Sequence, residues 1–303
     1  MISHLSLIPI AATSMSFHAG KHCVTIRRKE FVFTICTEFQ EEILARDVLT
    51  EPMENLISRH GAAGDGGRGT VARVDIPGIG WVFVRDYRHG GLTRAVFGRR
   101  FFIPGRETRE IHVLGAARSR NLPVPVPVAS ARKHCGFGRG YHARIITAEI
   151  PRTSSLVTTL WENTGQGRDT APLLFSTGKA IRSMHDAGIY HHDLNMHNIL
   201  VNESETVFII DFDRARIRRT LGMRERIANL RRLLRSGRKL TRLHHNAPSG
   251  WFSDDRFGEL LRGYSGGNED LYGRLVSQTI DFRPLKARSC IGWALDDLLY
   301  RNK

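Results

Sequence analysis

Residues 190–213, YHHDLNMHNILVNESETVFIIDFD, carry acidic and amide side chains at separations that suit phosphate chemistry. Asp193 leads after five positions to Asn198. The apolar run 199–201, the polar turn 202–206 and the second apolar run 207–210 then read as a hairpin, which returns the chain to Asp211 beside Asn198. Phosphoryl transfer needs this grouping, because magnesium takes hard oxygen ligands while a separate carboxylate orients the attacking hydroxyl. Asn198 and Asp211 are therefore candidate ligands for Mg2+ on ATP, and Asp193 is the candidate catalytic base. The bland alternative is a surface hairpin whose Asp and Asn only cap turns. The spacing, followed by DFD, favours the chemical reading.

These residues need elements to position them. Residues 61–69, GAAGDGGRG, form a glycine-rich loop, and Gly67, Arg68 and Gly69 are candidates for bringing backbone amides close to phosphate. Alternation over 70–75 and again over 81–85, WVFVR, predicts two strands around the turn Pro77-Gly78. Ile111 and Leu114 give helical spacing within 106–120, and the Pro-Val alternation of 123–128 stops that helix and leads into extended chain. An apolar strand over 143–147 precedes a hinge at 149–155. Leu174, Ile181 and Met184 then form the core face of a helix just ahead of the catalytic segment. Three parts follow: an N-terminal extension over 1–55, an upper lobe over 56–148 and a lower lobe over 149–303.

At 303 residues the chain is long enough for two modest lobes. A composition 41% hydrophobic and 25% charged is too apolar for disorder and too interrupted for a bundle of membrane spans. The net charge of +15 implies an anionic partner, and twelve Lys and Arg residues between Arg214 and Arg242 face only Glu225. Aromatic residues do not interleave with that run, so no nucleic acid is expected. Cys23, Cys36, Cys135 and Cys290 are far apart without a CxxC pair, which suggests neither zinc nor a disulfide framework and fits a reducing cytosol. The mildly apolar stretch 5–15 lacks a basic flank and contains Pro9, so it does not read as a signal peptide. The spacing of His185, His191, His192 and His197 matches no closed metal-ligand set, and His191 is better read as a brace for the catalytic loop.

The catalytic segment resembles the protein-kinase signature, with HHDLNMHN in the place of HRDLxxxxN and DFD in the place of DFG. That resemblance implies an α+β, bilobal protein-kinase-like fold with a small β-rich N-lobe and a mainly helical C-lobe. It also puts Arg85 where a kinase carries its phosphate-binding lysine, with Glu110 on the following helix as its partner. Arg88 competes with Arg85 for that place, and Glu107, one turn earlier, competes with Glu110. His192 in place of Arg and Asp213 in place of Gly argue against the phosphorylation switch of protein kinases.

A closer resemblance is to the 3-deoxy-D-manno-octulosonic acid (Kdo) kinases. It rests on GRG from Gly67, YRHGGL from Tyr87, REIHVLGAARSRNLPVPVPVA from Arg109, HHDLNMHNIL, IIDFDRARIR and the basic run from Met223, all in order. The resemblance implies transfer of the ATP γ-phosphoryl to the 4-hydroxyl of the sugar acid of Kdo–lipid A. It also implies peripheral association with the cytoplasmic face of the bacterial inner membrane. The basic run 224–239 carries Ile227, Leu230 and Leu234 on one face, which suits either packing on a core or docking at anionic lipid. Another acceptor, such as a heptose, a small molecule or a protein, and an inactive nucleotide-binding module both stay open.

Overall fold

The computed structural model describes residues 23–61, 71–87, 101, 105–136, 140–244 and 246–281. A six-stranded antiparallel sheet is built from β1 (Cys23–Arg28), β2 (Phe31–Cys36), β3 (Val71–Ile76), β4 (Gly80–Asp86), β5 (Pro127–His134) and β6 (Tyr141–Ala148), in the order β1-β2-β5-β6-β4-β3. β3 and β4 form the hairpin expected around Pro77-Gly78, pairing Val71 with Arg85 and Ile76 with Gly80. Two short helices, α1 (Gln40–Leu44) and α2 (Met53–His60), cover one sheet face through Ile43, Met53 and Leu56. On the opposite side α3 (Arg106–Arg118) brings Ile111 and Leu114 into the core that continues into the helical lobe.

Residues 23–55 are not an extension ahead of the lobe. β2 is an interior strand of the sheet with Phe33 and Ile35 buried, so among the described residues the sheet already includes the chain from Cys23. The β1–β2 turn lacks the usual sequence signal, because Lys29 takes the left-handed conformation (φ 47°) that Gly or Asn normally marks. Pairing also sets Cys23 opposite Cys36 with their thiols 3.2 Å apart, a neighbourhood hidden by their separation in sequence.

After β6 the chain forms the short strand β7 (Thr153–Ser155) and then α4 (Leu156–Gly165), whose first turn Ser155 caps by accepting from the Thr158 N–H at 3.1 Å. α5 (Ala171–Asp186) follows, with Leu174, Ile181 and Met184 buried as their spacing predicts. The hairpin of β9 (Ile199–Asn202) and β10 (Val207–Ile209) pairs Ile199 with Ile209, while β8 (Ile189–Tyr190) pairs with β11 (Arg216–Ile217). α6 (Met223–Leu243), α7 (Asp254–Ser265) and α8 (Glu269–Thr279) follow. α5 and α7 meet backbone to backbone: a Cβ on Gly178 would lie 1.9 Å from Leu260 O, and one on Gly263 2.0 Å from Phe175 O. On α6 the stripe Ile227, Leu230 and Leu234 is buried, so that face packs on the core.

Candidate active site

The catalytic loop hangs from His191, which is fully buried. His191 Nε2 lies 3.0 Å from Ile210 O and its Nδ1 lies 3.2 Å from the Asp193 N–H. A carbonyl only accepts and an amide N–H only donates, so Nε2 carries the proton and Nδ1 is bare. Burial holds this imidazole below the usual histidine range, in keeping with a neutral ring. One side chain thus ties the loop before Asp193 to the strand end before Asp211, the brace expected of His191.

Asn229 of α6 grips the same loop from behind. Its Oδ1 accepts from the His191 N–H at 3.2 Å and its Nδ2 donates to His191 O at 2.8 Å. The same Oδ1 lies 3.1 Å from His185 Nε2, and His185 Nδ1 lies 2.8 Å from the Tyr264 hydroxyl of α7. Burial pushes His185 down to about 4, so it too is neutral and joins α5, α6 and α7 behind the loop. Asn229 escaped sequence reading; the signal was an amide on the apolar face of an otherwise amphipathic helix.

Asp193 is the exposed member of the loop, its side chain 55% accessible. Asn195 supports it twice. Its Nδ2 donates to Asp193 O at 3.1 Å and to Asp193 Oδ2 at 3.3 Å, while its Oδ1 caps the one-turn helix Met196–Asn198 by accepting from the His197 and Asn198 N–H groups. Asn198 Nδ2 donates to Asp193 O at 2.8 Å, which leaves the amide oxygen without a hydrogen bond among the described residues. The Ile210 N–H donates to Asn198 O at 3.0 Å, so the hairpin closes with Asp211 next in chain beside Asn198. Asp211 adopts φ 61°, a left-handed conformation that Asp tolerates better than most residues and that turns the chain sharply after β10.

The upper lobe meets this hairpin through Arg85 on β4. One guanidinium nitrogen donates to both Glu110 oxygens at 2.8 and 2.9 Å, and the other donates to Asp211 Oδ1 at 2.6 Å. The Tyr87 hydroxyl donates to Glu110 as well. Burial alone would pull Arg85 down, but the carboxylates of Glu110 and Asp211 outweigh it and hold the guanidinium charged. Burial likewise pulls Asp211 up, and Arg85 overrides it to keep the carboxyl below the usual range. Glu107, the competitor of Glu110, turns instead toward Arg132 at 3.4 Å. Gly67, Arg68, Gly69 and Arg88 lie outside the described residues.

Asp213, the departure from the final Gly of the kinase pattern, is held by Arg106 at the start of α3 through two charge-assisted bonds. Arg106 in turn lies over the Tyr87 and Phe101 rings, 5.2 and 5.0 Å from their centroids. Between Arg85 and the hairpin opens a cleft of about 180 Å³. Val71, Phe83, Leu114, Ile145 and Leu200 give it apolar walls, while Arg85, Glu110 and Asp211 form its polar end. An apolar slot with charged groups among its lining suits a base carrying phosphates.

The oxygen donors fit magnesium. Asn198 offers an uncommitted amide oxygen, and Asp211 offers a carboxylate already facing a cation, the Arg85 guanidinium. Two protein ligands, with phosphates and water completing the shell, is how this ion is commonly bound.

The family model of the "Lipopolysaccharide kinase (Kdo/WaaP) family" matches residues 64–264. A 3-deoxy-D-manno-octulosonic acid kinase of Vibrio cholerae serotype O1 (strain ATCC 39315 / El Tor Inaba N16961) is 34% identical over 178 residues, 57% of this chain and 72% of that relative. One of Stenotrophomonas maltophilia (strain K279a) is 37% identical over 182 residues, 58% of this chain and 69% of the relative. The solved structure of WaaP in complex with acyl carrier protein overlays with a TM-score of 0.51 at 16% identity, covering 82% of this chain and 98% of that one, and shares the kinase-like fold. With its catalytic segment, strands β3–β6 and helices α3–α6 inside the matched span, the chain belongs to the lipopolysaccharide kinase (Kdo/WaaP) family and is a phosphotransferase.

Proposed function

We propose that this protein transfers the γ-phosphoryl group of ATP to the 4-hydroxyl of the Kdo sugar of Kdo–lipid A during assembly of the lipopolysaccharide inner core. The observation that supports the reading is the hairpin geometry: Asn198 holds Asp193 O, the Ile210 N–H closes on Asn198 O, and the next residue, Asp211, reaches the polar end of the cleft, where Arg85 spans Glu110 and Asp211. Kdo-kinase relatives at 34–37% identity support the choice of acceptor.

In this reading Asp193 orients the sugar hydroxyl and accepts its proton. Its exposure leaves room for an acceptor, and Asn195 and Asn198 fix its backbone. Asn198 and Asp211 would hold magnesium, which when bound would supply charge screening for the phosphates. Arg85 keeps Glu110 as its anchor and turns the nitrogen now on Asp211 toward phosphate oxygens, a planar fork doing what a kinase lysine does as a point charge. Gly67, Arg68 and Gly69 would cover those phosphates with backbone amides.

The protein works on a lipid-borne sugar, so we assign it to the cytoplasmic face of the inner membrane as a peripheral protein. The net charge of +15 supports this. No helix among the described residues is long and apolar enough to cross a membrane. Because the apolar stripe of α6 is buried, lipid contact would fall to solvent-facing arginines such as Arg224 and Arg235. The test is incubation of the purified protein with Mg-ATP and Kdo–lipid A, read by mass spectrometry. One added phosphate confined to the sugar is the expected product, and no gain with nucleotide still bound would remove Kdo as the acceptor.

A further inference from the structure

One cation near the catalytic loop has no part in the chemistry above. Arg232 of α6 places Nη1 3.8 Å from Asp193 Oδ1, within range of charge attraction but beyond a hydrogen bond. Its side chain is 37% exposed, yet its Nε is buried and makes no hydrogen bond among the described residues. The guanidinium therefore sits at the edge of the site without being consumed by it, unlike Arg85 or Arg106. Two further cations flank the same place. Arg216 pairs across from Tyr190 in the β8–β11 ladder, two residues before His192, and, after partial burial, the charges of Arg232, Arg214 and Arg216 hold the His192 imidazole below its usual range. Neither Arg214 nor Arg216 makes an ion pair among the described residues. The exposed Asp193 carboxylate thus has one guanidinium within charge range, with further positive charge near the preceding residue.

That arrangement answers a problem set by the substrate. A sugar acid carries its carboxylate and its accepting hydroxyl on one small ring, and its negative charge would be repelled by Asp193. A cation a few ångströms from the base offsets that repulsion and, if it grips the carboxylate, fixes which hydroxyl faces the base. We infer that Arg232 is a positioning residue that pairs with the acceptor's carboxylate and so sets its hydroxyl against Asp193. This rests on the acceptor reading above. A guanidinium suits the task because its planar fork matches a carboxylate. A neutral sugar with the same hydroxyl would leave the fork unfilled and be rejected.

The test compares two acceptors, Kdo–lipid A and the same molecule with the Kdo carboxyl converted to a carboxamide, in steady-state kinetics with the full chain and Mg-ATP. Losing one charge-assisted contact corresponds to on the order of 10- to 100-fold in kcat/KM, and the wild type should lose that much on the carboxamide, mainly through acceptor KM. Arg232→Gln should lose a similar factor on the natural acceptor, nothing further on the carboxamide, and keep the KM for ATP, while Arg232→Lys recovers part of the loss. An Arg232→Gln penalty of equal size on both acceptors would show that Arg232 only steadies Asp193, and a change in ATP KM would move it to the phosphate side; either overturns the inference. If Arg232→Gln melts early, the wild-type comparison, which alters no residue, still decides, since equal use of both acceptors rules out a carboxylate contact. A wild type that phosphorylates neither acceptor removes the Kdo reading itself, and this inference with it.

Discussion

Asp213 is a departure from the kinase pattern that makes physical sense only with its partner in view. A glycine there would restore the familiar DFG, but it would also leave Arg106, 16% exposed and stacked on two rings, without its carboxylate. Breaking a buried pair costs about 3–5 kcal/mol, and partial exposure reduces that here to roughly 1–3 kcal/mol. Asp213→Gly should therefore lower stability in chemical denaturation, and Arg106→Met combined with it should recover part of the loss; an unchanged midpoint would mean the pair contributes nothing. At the neighbouring position, Asp211→Ala should abolish the magnesium-dependent part of ATP affinity. Titrating nucleotide with and without magnesium checks this, and surviving magnesium dependence would exclude Asp211 as a ligand. The closeness of Asp193, Asn198 and Asp211 was legible in the sequence because five positions and one hairpin relate them. Arg106 was not, because its partner lies 107 positions away and nothing local marks it.

The elements behind the loop set its geometry. The hairpin β9–β10 announced itself through two apolar runs around a polar turn, and the helix ahead of it through Leu174, Ile181 and Met184. The β1–β2 hairpin did not, since its turn uses Lys29. The polar layer that joins α5, α6 and α7 was equally hidden, because buried His185 and Asn229 look in sequence like ordinary members of a histidine-rich, basic chain. This layer predicts a pH dependence. His185 titrates near 6.5 when unfolded and at about 4 when folded. Between these values the unfolded chain binds the extra proton, so stability falls as pH drops from about 6.5 to about 4 and is flat outside that window. The contribution of His185 is about 3 kcal/mol at most, and His185→Gln should remove that part of the slope in denaturation series across this range, leaving the part that buried His191 adds in the same direction. An unchanged slope would show that His185 is not the group responsible.

Across the whole molecule, charge and apolar surface are partitioned differently from what a lone basic helix suggests. The apolar stripe of α6 faces the core and its Asn229 and Arg232 face the catalytic loop, so the helix serves the active site first. The peripheral placement proposed above would then rest on the net charge of +15 rather than on inserted side chains. The protein should bind vesicles containing anionic lipid and release them as salt rises, with little affinity for zwitterionic vesicles, since such attraction is screened over about 8–10 Å. Retention in high salt, measured by vesicle sedimentation, would point to apolar insertion instead. The central proposal rests on Asp193, the exposed carboxylate of the loop, as the group that receives an acceptor hydroxyl. The most direct test is therefore turnover and nucleotide affinity in Asp193→Ala with Mg-ATP and Kdo–lipid A. Phosphate transfer should fall by about 10²- to 10⁴-fold while ATP binding stays at the wild-type level; transfer at the wild-type rate would contradict the assignment of Asp193 as the base.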